Sequence, residues 1–353
     1  MARKIKIVAK NSKILKKIEA AALVGRGGAS YPVAHKWAAV KEALKNNKFG
    51  YLVVNGAEGE PGVKKDGFIL DKYTEDFIRG LYLADNFLDS EKIKKIYLFL
   101  NHNYYQRYSL KIKNILKNKK YQKLEKKIEF FLKPLDLSYI SGEETAILNI
   151  IEGKKITPRL KPPYPTEYGL FGQPTLINNI ETLYNVALVE SDKYDEKRFY
   201  TLTGALKKPG VYRFSTNLTI ENILRESGNY PSFKFFVQIG GQASGEVFNS
   251  EQLDVPAESA ASIMVYDQEK TNEKKLLQYW LNFYREQSCG NCTPCREGTY
   301  RLLEMIKAKE FDRDLFWDIV NSLKESSFCA LGSSLSIPLI SYFKNIKHKS
   351  YLN

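Results

Sequence analysis

The sequence predicts a mixed α/β protein built from three successive regions. Residues 1–190 alternate apolar strand-like segments with helical ones, which is the pattern of a mostly parallel sheet with helices packed on it. Residues 191–271 contain a hairpin with a Pro-Gly turn, one short helix and a further strand, which indicates a small β-grasp-like domain. Residues 272–353 are helical and predict a short bundle.

The elements of the first region are expected in a regular order. A helix is predicted over Lys13–Ala22, and it ends in the glycine-rich stretch GRGGAS. Apolar segments predict a strand running into a loop at Tyr51–Glu58, a second strand at Lys94–His102 and a third at Ile128–Pro134, with a helix between the last two. Polar loops follow the strands, at the edge where open α/β sheets bind their ligands.

The second and third regions are read from turn signals and helical periodicity. The hairpin is FYTLTGALKKPGVYRF, the short helix is TIENILRESG and the next strand is KFFVQIGGQASGEVF. The third region gives three amphipathic helices: LLQYWLNFYREQ, TYRLLEMIKAK and DLFWDIVNSLKESS.

Composition narrows the class of protein. The 353 residues carry a net charge of +14, and eight lysines lie between Lys111 and Lys127. Apolar residues recur there at helical spacing, so we interpret the segment as a solvated helix face, with docking to an acidic partner subunit as an alternative. No nucleic-acid motif appears, and we expect no nucleic-acid partner. Neither a long apolar run nor a secretory signal is present, so we expect no membrane insertion and a cytoplasmic location, free or on the cytoplasmic side of a membrane complex.

Four cysteines form the strongest chemical motif: Cys289, Cys292, Cys295 and Cys329. The first three follow C-x2-C-x2-C spacing in SCGNCTPCREGT, on what is expected to be one loop, and Cys329 is expected to supply a fourth ligand from a separate helix end. Such spacing can wrap three corners of a [4Fe–4S] cubane. Zinc remains an alternative, because four thiolates also suit a tetrahedral zinc ion.

Several polar loops are weaker signals when taken singly. GRGGASYPVAHKW is glycine-rich with a nearby Lys36, a composition that suits phosphate. NGAEGEPGVKKD follows an apolar strand, YISGEETA follows the next, and PTLINNIET places two amides before a helix. For the first, third and fourth of these loops, helix capping is an alternative to ligand binding.

Together, and in this order, the motifs resemble the NADH-binding flavoprotein subunit of respiratory complex I and its relatives in NAD-linked hydrogenases and formate dehydrogenases. The elements that carry the resemblance are GRGGA…KW, NGAEGEPG, YISGEETA, TPRLKPPYP, NNIET, and SCGNCTPCREGT…FCALG. The resemblance implies a Rossmann-like FMN-binding domain, a small β-grasp domain of the soluble-ligand-binding type, and a helical bundle that carries one 4Fe-4S cluster.

The resemblance also assigns residues. Those expected to line FMN are Gly25, Arg26, Gly27, Lys36, Asn55, Glu58, Tyr139, Gly142, Glu143, Glu144, Asn178 and Asn179. Those expected to contact NAD(H) are Tyr31, Glu60, Lys161 and Tyr164. Glu60 and Glu144 are expected to serve the reaction itself, and the four cysteines are expected to hold the cluster.

The function implied is that of an NADH dehydrogenase subunit, which admits electrons to a multi-subunit redox complex. NADH would give hydride to FMN, and single electrons would pass through the 4Fe-4S cluster to a thioredoxin-like 2Fe-2S subunit and a larger multi-cluster iron–sulfur subunit. One alternative keeps both cofactors but has weakened or lost NADH binding, as a relay or bifurcating subunit of a hydrogenase or formate dehydrogenase complex. Ala39, Ala57 and the GASYPVA loop motivate it, because the family usually has other residues there.

Overall fold

The computed structural model describes residues 12–136, 139–257 and 261–347. The chain divides into two compact units. The first comprises the chain up to Glu58 and Asp66–Asp195, and the second comprises Gly59–Lys65 and the chain from Glu196 onward.

The described part of the first unit is a parallel sheet with helices. Its strands are β1 (Gly50–Gly56), β2 (Ile93–Leu100), β3 (Ile128–Leu132) and β4 (Thr175–Asn179), in the order β3-β2-β1-β4, and each neighbouring pair is parallel. Its helices are α1 (Lys13–Ala20), α2 (Val33–Ala43), α3 (Lys65–Lys72), α4 (Thr74–Leu88), α5 (His102–Leu116), α6 (Gln122–Glu125), α7 (Glu144–Ile151) and α8 (Ile180–Glu190).

The position of each strand in this sheet follows from its side chains. β1 is apolar and buried along almost its whole length, as expected for a central parallel strand covered on both faces. The predicted Rossmann-like arrangement of the first region is confirmed in its parallel sheet. The sequence analysis placed no strand before the adjacent amides Asn178 and Asn179, yet β4 ends on them. This short strand is fixed by pairing with β1, where Asn55 lies opposite Asn179.

The second unit contains a mixed sheet. Its strands are β5 (Lys197–Gly204), β6 (Gly210–Ser215), β7 (Phe235–Ile239), β8 (Glu246–Asn249) and β9 (Ser262–Asp267), in the order β6-β5-β9-β7-β8. The pair β5–β9 is parallel and the other pairs are antiparallel. Helix α9 (Ile220–Glu226) packs Ile223 and Leu224 into one core with residues of the sheet such as Tyr200 and Val237, which is the β-grasp arrangement that the hairpin and short helix predicted.

Helices complete the second unit. They are α10 (Glu273–Gln287), α11 (Thr293–Lys307), α12 (Arg313–Ser326), α13 (Ala330–Ser334) and α14 (Ser336–Asn345). Helix α14 covers the edge strand β8: Asn345 Nδ2 donates to Val247 O at 2.6 Å, and Val247 N donates to Ser341 Oγ at 2.9 Å. Sheet and helices therefore share one compact unit, and the division at residues 190 and 271 stays a prediction.

The longest described helices, α4, α5, α10 and α11, have 15 residues each. Over the described ranges, no helix is long and apolar enough to cross a membrane.

Candidate functional site

The glycine-rich loop is closed at its base and open at its tip. Val24 and Pro32 form an isolated antiparallel bridge, and Gly25 N donates to Tyr31 O at 2.9 Å. Gly28 has a φ of +111°, a conformation that side chains rarely adopt, and a Cβ built there would meet no heavy atom within 4 Å. The loop leads directly into α2, whose N-terminus favours anions.

Arg26 uses its side chain inside the protein. The residue is 5% exposed, Nη2 donates to Tyr194 Oη at 3.1 Å, and its backbone N donates to Thr182 Oγ1 at 2.9 Å in α8. These contacts hold the glycine-rich loop against the start of α8. Both Nη2 and the backbone N–H of Arg26 are therefore engaged within the first unit.

Three predicted residues meet at the carboxyl end of the sheet. Asn55 Nδ2 donates to Gly142 O at 2.9 Å, which joins the end of β1 to the turn before α7. Asn179 Nδ2 donates to Asn55 O at 3.2 Å and to Asp66 Oδ2 at 2.6 Å, while its Oδ1 caps α8 by accepting from Glu181 N at 3.0 Å. Asn179 therefore has a capping role and also links two strand ends.

Asn178 points to the other side of β4, as the strand period requires. Its Oδ1 accepts from the buried Trp37 Nε1 at 2.9 Å, and the residue is 5% exposed. The two adjacent amides therefore have different roles. Asn178 anchors α2 to the sheet, while Asn179 lies at the strand end.

Glu143 begins α7 as its N-cap. Its Oε2 accepts from Thr145 N at 2.8 Å and from Ala146 N at 2.9 Å. Tyr139, also predicted at the site, lies in the preceding turn, where its O accepts from Gly142 N at 2.9 Å. The capping alternative is thus correct for Glu143, and it fixes the direction of the following Glu144.

A chain of alternating charges runs through this site. Lys36 Nζ lies 2.9 Å from Glu144 Oε2, and Lys161 Nζ lies 3.2 Å from Glu144 Oε1 and 3.0 Å from Glu143 Oε1. Burial opposes ionisation of Glu144, but the two lysines outweigh it and lower the pKa of Glu144 below its ordinary value. Burial likewise opposes the charge on Lys161, but the two carboxylates raise its pKa. Glu144 and Lys161 therefore carry opposite charges near neutral pH.

Glu58 is turned into the fold. It has a φ of +35°, its carboxylate accepts from Asp66 N at 2.8 Å and Gly67 N at 3.3 Å, and it also accepts a hydrogen bond from Tyr104 Oη. These bonds cap α3. Any contact of Glu58 with a cofactor would be additional to this structural role.

Lys133 is a residue of this region that the sequence analysis missed. It follows β3 directly, it is 6% exposed, and its Nζ donates to Ala57 O at 3.1 Å. The sequence did contain a signal for it, because Lys133 directly follows an apolar strand. The polar loop after β1 was selected as a candidate site for the same reason.

Two predicted nucleotide contacts are exposed aromatic rings. Tyr31 is 49% exposed and Tyr164 is 54% exposed, so both present a ring face to solvent within the first unit. Such rings suit stacking on a base.

Glu60 lies in the second unit, with the segment Gly59–Lys65. Its Oε1 accepts from Ala243 N at 3.0 Å and Ser244 N at 3.3 Å, and its Oε2 accepts from Ser244 Oγ at 2.9 Å. A Cβ built on Gly241 would lie 2.1 Å from Glu60 Oε1, so this glycine makes room for the carboxylate. Glu60 orders the loop between β7 and β8.

Three of the four cysteines lie at helix starts, and Cys289 lies in the loop between α10 and α11. Cys292 is the N-cap residue of α11, Cys295 lies in its first turn, and Cys329 is the N-cap residue of α13. The expectation that the first three share one loop is thus wrong for Cys295, because Pro294 opens the helix before it. A Cβ built on Gly332 would lie 3.1 Å from Cys295 Cβ, so this glycine lets α13 approach α11.

The thiols form one electrostatic group. Burial, with smaller contributions from the other three cysteines, raises the pKa of Cys295 to about 11, although its hydrogen bond with Ser288 acts to lower it. Burial also raises the pKa of Cys329, while the backbone N–H groups of Leu331 and Gly332 act to lower it. All four thiols are free, and among the described residues no set of three His, Cys, Asp or Glu side chains converges on a point that could hold one metal ion. A cubane takes one thiolate at each of its four irons, so four cysteines are the donor set that fits the cluster.

The first unit likewise fits a flavin nucleotide. The open tip of the glycine-rich loop and the N-terminus of α2 suit a phosphate, and the polar strand ends around Asn55 suit the edge of a ring. Exposed tyrosines and the charged cluster lie in the same unit.

Comparisons with known proteins match two regions of the chain to family models. Residues 18–188 match the family model described as the Nuo51 FMN-binding domain, and residues 275–350 match the NADH-ubiquinone oxidoreductase-F iron-sulfur binding region. The chain is 31% identical to the F subunit of NADH-quinone oxidoreductase from Aquifex aeolicus over 349 residues, which cover 90% of this chain and 80% of that protein. The corresponding protein of Streptomyces coelicolor is 31% identical over 376 residues, which cover 94% of this chain and 81% of that protein.

A solved structure gives the same result. A crystal structure of an NAD+-reducing [NiFe]-hydrogenase in the H2-reduced state superposes with a TM-score of 0.82 and 27% identity. The match covers 96% of this chain and 61% of the hydrogenase chain, so this chain spans less than two thirds of that relative's length. With its FMN-binding region followed by its iron–sulfur binding region, the chain belongs to the family of NADH-quinone oxidoreductase F subunits.

Proposed function

We propose that this chain is the electron-input subunit of a multi-subunit redox complex and that it oxidises NADH. The observation that carries the proposal is that one chain holds both cofactor-binding regions of the family, with an intact charged cluster at the sheet end of the first. Bound FMN accepts a hydride and returns electrons one at a time, which a 4Fe-4S cluster accepts.

The chain's own residues bind and orient the reactants. The backbone N–H of Gly27, with Lys36, is proposed to hold the FMN phosphate, while the backbone N–H groups of Gly25 and Arg26 fix the shape of the loop through Tyr31 and Thr182. Asn55, Gly142 and Asn179 are proposed to hold the ring at the strand ends, where their mutual bonds keep them in place. Their fixed positions lower the cost of orienting the ring for hydride transfer.

The charged cluster is proposed to receive the nucleotide. Lys161 stays protonated, because Glu143 and Glu144 raise its pKa, and it can attract a dinucleotide phosphate. The rings of Tyr31 and Tyr164 are proposed to stack on the base. Glu144, predicted as a reaction residue, keeps a lowered pKa and acts through its charge rather than as a proton donor.

For Glu60, predicted to serve the reaction, we propose a smaller role. Its carboxylate already accepts three hydrogen bonds from Ala243 and Ser244, so it supports the β7–β8 loop in the second unit.

The relatives are subunits of larger enzymes. We propose that electrons leave this chain for a thioredoxin-like 2Fe-2S subunit and a larger multi-cluster iron–sulfur subunit. A cytoplasmic location, free or on the cytoplasmic side of a membrane complex, is proposed because NADH is a cytoplasmic reductant and the four thiols are free.

An anaerobic reduction assay tests the function. The purified protein, reconstituted with FMN and cluster, should lose its flavin absorbance on addition of NADH, and a Lys161→Met variant should require a much higher NADH concentration. Full FMN occupancy without bleaching by NADH, with partner subunits present, contradicts the proposal.

A second candidate function is a relay that keeps both cofactors but does not use NADH. The engaged carboxylate of Glu60 and the residues Ala39 and Ala57 favour it, because they remove side chains that could contact a nucleotide. Titration of the oxidised holoprotein with NADH and NADPH separates the two functions. Micromolar NADH binding excludes the relay, and no binding of either nucleotide supports it.

A further inference from the structure

Lys133 is a buried cation at the ligand-binding edge of the sheet. Its backbone N donates to Leu100 O at 2.9 Å, which extends the β2–β3 ladder by one residue at the carboxyl ends of the strands. The side chain is 6% exposed. Open parallel sheets bind ligands at this edge.

The ammonium group of Lys133 has unused hydrogen-bonding capacity. Its one acceptor in the described part of the chain is Ala57 O at 3.1 Å, which also accepts from Asn101 Nδ2 at 3.3 Å. No carboxylate of the described residues lies within 4.0 Å of it. An ammonium has three donors, and a buried charge without a partner is costly, so the site favours a ligand that supplies negative charge.

Lys133 is two hydrogen bonds away from the predicted flavin residues. Ala57 N donates to Asn55 Oδ1 at 3.1 Å, and Asn55 Nδ2 donates to Gly142 O at 2.9 Å. A Cβ built on Gly142 would lie 3.2 Å from Ala57 Cβ, so these backbones are in close contact. The buried charge therefore belongs to the same sheet edge as the strand ends that are proposed to hold the flavin ring.

We propose that Lys133 tunes the bound flavin electrostatically: its buried ammonium stabilises the negative charge that reduction brings into the site. A hydride carries two electrons and one proton, so its transfer oxidises NADH to NAD+ and adds one net negative charge beside the strand ends. A fixed cation in a water-poor site stabilises such a charge more than it would in water. The inference rests on the proposed function only in requiring bound FMN.

Charged groups around Lys133 define its own protonation. Burial lowers the pKa of Lys133 to about 8, and the charge of Glu58 partly offsets this. Tyr104 donates to Glu58, and burial raises the pKa of Tyr104, so its hydroxyl stays neutral. Asp66 lies beyond Glu58 and is bonded to Asn179. Lys133 is therefore charged at neutral pH and loses its proton as the pH rises above about 8.

The test is an anaerobic redox titration of bound FMN in the reconstituted full chain, without NADH. In K133M the ratio of reduced to oxidised flavin at a fixed potential should fall at least about tenfold, which for a two-electron couple lowers the midpoint potential by about 30 mV. K133R keeps the charge and should restore most of the shift. K95M is the matched control, because Lys95 is a half-exposed lysine near the start of β2, at the opposite end of the sheet, and is paired with Glu129.

A second measurement compares proton uptake in the unaltered protein and in K133M at the same pH. Between pH 8 and 9, reduction of the flavin in the unaltered protein should take up more protons per two electrons than in K133M, by a number that approaches one, because the added negative charge returns a proton to Lys133. An unshifted potential in K133M together with no extra proton uptake overturns the inference. Failure of NADH to reduce the flavin, with the K133M shift present, instead overturns the proposed function and leaves the role of Lys133 standing.

Discussion

Replacing Glu143 should loosen the first turn of α7, the helix that carries Glu144. The carboxylate of Glu143 accepts from Thr145 N at 2.8 Å and Ala146 N at 2.9 Å, and an alanine leaves both donors unpaired. Loss of an N-cap costs about 1–2 kcal/mol. The ion pair with Lys161, whose side chain is about one third exposed, adds little after solvent screening. Amide hydrogen exchange in residues 144–151 of Glu143→Ala should therefore be roughly 5- to 30-fold faster.

Hydrogen exchange followed by mass spectrometry measures this effect locally, so the stability of the other unit does not enter. Glu143→Asp is the control, because Asp is a good N-cap residue but is too short to keep the pair with Lys161. Equal exchange in Glu143→Ala and the unaltered protein would refute the capping role. Equal acceleration in both variants would assign the effect to the ion pair instead.

Three further predictions concern packing, the cluster and pH. A Cβ on Gly80 would lie 1.8 Å from Leu183 O, so Gly80→Ala should lower the free energy of unfolding by about 1–3 kcal/mol despite the better helix propensity of alanine; an unchanged melting temperature contradicts this. Metal analysis should find about four irons and no zinc per chain, and fewer irons in Cys329→Ser; one zinc per chain excludes the cluster. Because the pKa of Glu144 is lowered, its stabilising contribution is present above its ordinary value of 4.5 and is lost as the pH falls through the lower folded value. The melting temperatures of Glu144→Gln and the unaltered protein should therefore converge in acid, and a constant difference from pH 7 to pH 3 contradicts the assignment.

Local pattern was sufficient where a segment is long and strongly periodic. The apolar run of β1 and the Pro-Gly hairpin of β5 and β6 could be placed from sequence, because side-chain burial and turn chemistry are local properties. The strand β4 was not predicted from the sequence. Its five residues end in two amides and carry little periodic signal, and its pairing with β1 spans more than 120 residues. The start of α11 at Thr293 was not predicted either, because the cysteine spacing was interpreted as typical of a loop.

Site residues divide in the same way. Motif order indicated Asn55, Gly142 and Asn179, and the structure brings these three together. The side chain of Asn178 instead accepts a hydrogen bond from Trp37, and Glu60 lies in the second unit. An adjacent pair of amides, or an acidic residue two positions from another, looks alike in sequence whichever way each side chain points.

By itself the sequence determined the chemistry that this protein can carry: the spacing of four cysteines, a glycine-rich loop, and acidic and amide loops at strand ends in the family's order. These depend on residue type and local spacing. Only the tertiary structure decided which groups are spent on folding and which remain available to a ligand. Glu58 caps α3 and Glu143 caps α7, whereas Lys133 is buried with donors to spare. The physical reason is that burial and partners at long sequence distance, rather than residue type, set the charge and reach of each side chain.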